Sequence, residues 1–155
     1  GQVGMAQRAN ATAASSAAKN WERYVGTLVG QGRTIYGAAV LPITPEAPGV
    51  RKSVILAQKG ISMRVPEATL LVETVMDGRV HRDYVHASGH QYLITTVMES
   101  SYYGRCTSTA TVGGIALVKM GPFLVLAVWS EPTTAAQAIP YVHRSVDELA
   151  AAMGR

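Results

Sequence analysis

The segment from Tyr92 to Ser130 constrains the fold of this chain more than any other. It holds runs rich in β-branched, aromatic and aliphatic residues, namely Tyr92 to Met98, Tyr102 to Thr111, Ile115 to Met120 and Phe123 to Ser130. Between them lie Glu99 to Ser101, Gly113-Gly114 and Gly121-Pro122, which read as turns. A parallel strand pair needs a crossover of roughly a dozen residues or more, and none of these gaps has room for one. The runs are therefore expected to fold as consecutive antiparallel hairpins. The last run is apolar at nearly every position, so both faces of its strand are expected to be buried, with Trp129 as core.

The flanking sequence supplies helices and further strands. Ser15 or Ser16 can cap a helix that carries Trp21, Tyr24, Val25 and Leu28 at helical spacing, and Gly30, Gln31 and Gly32 end it. Ile35 to Leu41 reads as a strand. A loop with Pro42, Pro45, Pro48 and Gly49 follows, and then a short strand from Ser53 to Ala57. Pro66 opens a helix whose apolar face is Ala68, Leu71, Val72 and Val75. Gly78 to Ser88 is a polar loop with room for a short strand at Val80 to Val85. The chain ends in a helix from Pro140 to Met153. Val142, Val146, Leu149 and Met153 form its apolar stripe, and Tyr141, Ser145, Glu148 and Ala152 share another face. The expected class is α/β in the α+β sense: a central antiparallel β-sheet of about six to seven strands flanked by N- and C-terminal helices. Residues 1–16 are small and polar, lack the apolar stretch of a secretory leader, and read as a flexible N-terminal extension to a single domain spanning 17–155.

Composition and motifs speak against catalysis. Hydrophobic residues make up 48% of the 155, enough for a packed core, yet no apolar run approaches the ~20 residues that span a bilayer. The net charge of +4 is scattered along the chain, so nucleic acid is not an expected partner. Cys106 is the only cysteine, which excludes an internal disulfide and suits a reducing compartment. His81, His86 and His90 are spaced by five and four, which fits neither a helical pair nor a zinc knuckle, so no metal is expected. Gly26, Gly30 and Gly32 end a helix rather than open one, which argues against a phosphate-binding loop. No nucleophile, base and oxyanion donor can be assembled, and neither an enzyme nor a cofactor is expected. Tyr102-Tyr103-Gly104-Arg105 reads as an exposed strand edge in preference to a base-stacking platform.

The segment Gly113 to Pro132, GGIALVKMGPFLVLAVWSEP, resembles the C-terminal signature of profilins of the plant and protozoan type. Gly113, Gly114, Ile115, Lys119, Val125, Trp129, Glu131 and Pro132 hold its positions without a gap. Asn20-Trp21-Glu22-Arg23-Tyr24-Val25 resembles the family's opening helix, Ala38-Ala39-Val40 its first strand, and Ser53-Val54 with Ala57-Gln58 its second. Pro66-Glu67 resembles the start of its second helix, Gly89-His90-Gln91-Tyr92 the entry to a later strand, and Tyr103-Gly104-Arg105 the basic strand before the paired glycines. The resemblance covers Asn20 to Arg155. The sequence departs from the pattern in a longer loop from Pro42 to Arg51, in lacking a second Trp near Ile55 or Leu56 and an aromatic near Leu149, and in ending on Arg155.

The resemblance implies a regulator that binds monomeric actin and controls its polymerisation, in the cytoplasm and at the cytoskeleton, as a monomer. Carried over residue by residue, the actin face falls on Gln91, Leu93, Thr96, Arg105, Thr133, Thr134, Gln137, Tyr141 and Arg144. The family's groove for proline-rich ligands falls on Trp21, Tyr24 and Leu149, where proline rings would dock on aromatic faces; on this chain Trp21 and Tyr24 read equally as a tie between the terminal helices. A different reading keeps the fold but makes proline-rich or anionic-lipid partners, phosphoinositides included, the main ligands. A third has Arg79, Arg82 and Arg105 attract anionic lipid or nucleic acid.

Overall fold

A computed structural model of the chain describes residues 19–43, 54–108 and 112–153. The elements follow in the order α1 (residues 19–29), β1 (Gly37–Pro42), β2 (Ala57–Lys59), α2 (Val65–Met76), β3 (Val85–Ala87), β4 (His90–Val97), β5 (Ser101–Cys106), β6 (Gly113–Met120), β7 (Phe123–Ser130) and α3 (Ala135–Met153). All strands join one sheet of seven in the order β2-β1-β7-β6-β5-β4-β3, and every pairing is antiparallel. Strands β3 to β7 form a meander, as their short connections require. Strand β1 sits between β2 and β7, so the first and last strands of the chain meet only when the whole sheet is assembled.

Both faces of the sheet are covered, and the alternation of side chains sorts the core into two layers. Phe123, Val125, Ala127 and Trp129 of β7 point to the layer that packs under α1 and α3, with Trp21, Val25, Leu28, Val142 and Val146. Leu124, Leu126 and Val128 point to the opposite layer, with Leu71 and Val75 of α2 and with Tyr92, Ile94 and Tyr102 of the sheet. Strand β7 is thus buried on both sides from Phe123 to Trp129, as its continuous apolar run predicts.

The structure shifts several boundaries. Strand β2 is Ala57–Lys59 rather than Ser53 to Ala57: pairing with β1 begins at Val40 opposite Ala57, and Gly60, at φ 79°, turns the chain away beside the Tyr36 carbonyl. No strand forms from Val80 to Tyr84. Arg79 there binds Asp77 at 3.4 Å and Asp83 at 2.9 Å and winds the segment into turns, so β3 starts only at Val85. Ser101 opens β5 instead of ending a turn, and β5 stops at Cys106. Gly113 and Gly114 are not a turn either. They begin β6, opposite Ser130 and Trp129. Helix α3 starts at Ala135, a turn and more before Pro140, and Met153 is half exposed at its end instead of completing the buried stripe.

The early start of α3 has a local cause. Thr134 and Gln137 form one half of a capping box: the Gln137 side-chain oxygen accepts a hydrogen bond from the Thr134 backbone N–H at 2.9 Å, and the Thr134 carbonyl accepts the first helical bonds, from Gln137 and Ala138. Pro140 therefore falls inside the helix, on its exposed side. The expected cap at Ser15 or Ser16, the extension at 1–16 and the proline-rich loop beyond Ile43 lie outside the described residues.

Candidate functional site

The part of the sheet carrying β4 and β5 meets the start of α3 along an open groove of about 800 Å³. Its sheet wall is Thr95, Thr96, Tyr103, Gly104 and Arg105. A β-bulge shapes this wall: Ile94 pairs with Gly104 and Thr96 with Tyr103, leaving Thr95 as the extra residue. The bulge puts Thr96 on the same face as Leu93 and Arg105, although the spacing from 93 to 96 is odd. A Cβ on Gly104 would lie 2.4 Å from the Leu93 carbonyl oxygen, so only glycine fits where the strands close up beside the bulge. The opposite wall is Glu131, Pro132, Thr133, Thr134 and Ala135, with Ile139 one turn into α3. Val112, 64% exposed, and Trp129, 4% exposed, bring apolar surface to its middle.

The electrostatics of the groove are simple. Arg105 and Glu131 both line it, and neither is in an ion pair among the described residues. The surface offers one cation and one anion around an apolar centre, the composition of a protein-binding patch more than that of a nucleic-acid track. Tyr103, on the groove wall, is fixed from behind. Its hydroxyl donates to Ser101 Oγ at 3.0 Å and shares a hydrogen bond with His143 Nε2 of α3, with the two rings edge to face.

A second cavity, of about 520 Å³, adjoins the first and shares Pro132 and Thr133 with it. Its walls include Arg33 and Thr34 of the α1–β1 loop and Gln137, Tyr141 and Arg144 of α3. The Thr133 hydroxyl donates to the Arg33 carbonyl at 3.0 Å, tying that loop to the start of α3.

The fold thus brings together most of the face that the sequence mapped. Thr96, Arg105, Thr133 and Thr134 line the groove, and Thr133, Gln137, Tyr141 and Arg144 line the adjoining cavity. Leu93 is half buried opposite Arg105 on the neighbouring strand, outside both linings. Gln91 lies beyond it, with its side chain bonded to His86 and Thr107 at 3.3 Å. The Tyr141 hydroxyl donates to the Leu28 carbonyl at 2.6 Å, so this side chain also ties α3 to α1. Sequence reasoning missed Tyr103, Val112, Ile139 and Arg33. The one available signal was the Thr-x-x-Gln capping box, which would have placed the start of α3 at the groove.

Trp21 belongs to the core layer under α1 and α3, Tyr24 and Leu149 pack against that layer, and Trp21 and Tyr24 touch. Trp21 is only 8% exposed and packs on Phe123 with ring centroids 4.5 Å apart; Tyr24 meets it edge-on at 6.4 Å. The Tyr24 hydroxyl accepts a hydrogen bond from Ser145 at 3.4 Å. Burial pushes its phenol above the ordinary value, against the opposing pull of that bond. Elsewhere Arg79 is held by its two carboxylates, which lowers its use to an anionic partner. Among the described residues no three His, Cys, Asp or Glu side chains gather to hold a metal ion, and no helix is long and apolar enough to cross a membrane.

A seven-stranded antiparallel sheet with the terminal helices on one face and a third helix on the other defines a binding scaffold. The family model for profilin matches residues 19–153, and the chain belongs to the profilin family. Among solved structures, the profilin of Schizosaccharomyces pombe superposes with a TM-score of 0.69 at 19% identity, over 85% of this chain and 98% of that one. Profilin II of Acanthamoeba castellanii gives 0.67 at 22% identity, over 84% and 97%. A LokiProfilin1 in complex with rabbit actin gives 0.63 at 11% identity, over 85% and 95%. Mouse profilin IIa in complex with a double repeat from the FH1 domain of mDia1 gives 0.61 at 13% identity, over 85% and 97%. No curated protein matches the chain in sequence.

Proposed function

We propose that this chain is an actin-binding regulator that docks one actin monomer on the groove between β5 and α3 and so controls the supply of monomer for polymerisation. One observation carries the reading: Thr96, Arg105, Thr133 and Thr134, drawn from three separate stretches of sequence, line a single groove. The solved complex of a profilin with rabbit actin supports it. The apolar centre of Val112, Trp129 and Ile139 supplies burial, and Arg105 at the wall steers an acidic surface and fixes its register. The role is one of binding, with no catalytic step, in the cytoplasm and at the cytoskeleton, as a monomer.

The test is the polymerisation of actin from the same organism, followed in the presence of the protein. Assembly should slow in proportion to added protein, and Arg105→Glu should weaken the effect by about tenfold or more. Assembly curves unaltered by a stoichiometric excess would overturn the reading. A second activity, binding of proline-rich segments between α1 and α3, is favoured by the grouping of Trp21, Tyr24 and Leu149 and by the neighbour solved with FH1 repeats. Phosphoinositide headgroups are a further class of partner for the basic surface.

A further inference from the structure

We infer that the cavity between the α1–β1 loop and α3 takes an acidic side chain of the docked partner, held by Arg33 and Arg144, and that Arg33 is thereby a specificity-determining contact. The inference rests on the actin reading and extends its surface to a loop far from the groove in sequence. Arg33 and Arg144 both line one cavity of about 520 Å³. Two like charges around one space favour an anion between them. Among the described residues neither arginine is in an ion pair.

The remaining polar groups make the cavity rich in donors. The Gln137 side-chain oxygen is already occupied by the Thr134 backbone N–H and hydroxyl, which leaves the amide N–H groups as the donors of that side chain. The carbonyl oxygens of Arg33 and Leu28 are taken by Thr133 and Tyr141. A carboxylate meets these donors in the fork geometry that suits arginine. It would come from the partner in the groove, because the two cavities adjoin at Pro132 and Thr133, which line both. The Thr133 bond to the Arg33 carbonyl holds the loop at this spot before any partner arrives, so little backbone ordering is left for binding.

Binding of monomeric actin from the same organism is measured for the wild type, Arg33→Glu, Arg33→Ala and Arg33→Lys at two salt concentrations, with circular dichroism to check each fold. Arg33→Glu should weaken binding by about tenfold or more and flatten its salt dependence, and Arg33→Ala should do so less. Arg33→Lys should restore the salt dependence but only part of the affinity, because an ammonium lacks the fork. If the wild type binds and Arg33→Glu binds equally well with the same salt slope, the inference is overturned and the actin reading stands. If the wild type does not bind, both fall. Binding of inorganic phosphate or phosphoinositide vesicles that Arg33→Glu abolishes, with actin affinity unchanged, would also overturn it by assigning the cavity to a phosphate.

Discussion

Gly114 shows how far a single hydrogen atom in place of a side chain can set the geometry. A Cβ there would lie 2.4 Å and 2.6 Å from two ring carbons of Trp129 and 2.8 Å from the Gly104 carbonyl oxygen. Trp129 is 4% exposed and packed in the core layer under α1 and α3, so the ring must shift against its neighbours to make room. Gly114→Ala should therefore cost about 1–3 kcal/mol, the usual penalty of overpacking a dense core. It should appear as a lower urea midpoint at unchanged slope. Gly26, within α1 and with nothing inside 4 Å of its added Cβ, is the matched control: Gly26→Ala should raise stability by about 0.5–1 kcal/mol. Two glycines of similar appearance in the sequence thus have opposite consequences, and the difference lies in what stands across the space from each.

Among the elements, the β3–β4 hairpin depends on a helix for its turn. Ser88 and Gly89 both take left-handed conformations, at φ 53° and 83°, which is strained for the serine. The Glu67 carboxylate, in the first turn of α2, accepts the Ser88 N–H at 2.6 Å and the Gly89 N–H at 3.0 Å. The Ser88 hydroxyl in turn accepts the Ser62 N–H at 3.0 Å. Glu67→Ala removes both acceptors and should cost about 1–2 kcal/mol. The loss should be local as well as global: amides of β3 and the first half of β4 should exchange faster than those of β6 and β7. Glu67→Gln, which keeps an acceptor oxygen, should lie in between. Uniform loss of protection across the sheet would show instead that the carboxylate supports the whole core.

For the whole molecule, the closure of β1 on β7 and the packing of the terminal helices on one face complete the sheet on which the groove lies. The same closure packs α1 on α3 and sets the fate of the aromatic pair between them. Trp21 is engaged with Phe123, so a proline-rich peptide would find mainly Tyr24, Leu149 and the edge of the indole. Titration with a proline-rich peptide should give a saturable change in tryptophan fluorescence that Tyr24→Ala abolishes. A flat titration would mean that the aromatics only join the two helices, through the contacts of Tyr24 with Ser145 and of Tyr141 with Leu28.

Strands β4 to β7 of the meander, the double burial of β7 and the family were legible in the sequence because each rests on local pattern: apolar runs, short gaps, and a motif without insertions. Much of the proposed docking face was mapped for the same reason, by position along that motif. The bulge at Thr95, the start of β6 at Gly113 and the partnership of Arg33 with Arg144 were not. The bulge depends on how β4 meets the backbone of Gly104, and the glycine pair looks like a turn until Trp129 is placed against it. Arg33 and Arg144 face one cavity only through a loop tied to Thr133 a hundred residues away. Sequence by itself determined which segments fold and bury. The tertiary structure decided which polar side chains meet across them, because those meetings depend on contacts between distant segments that no local period encodes.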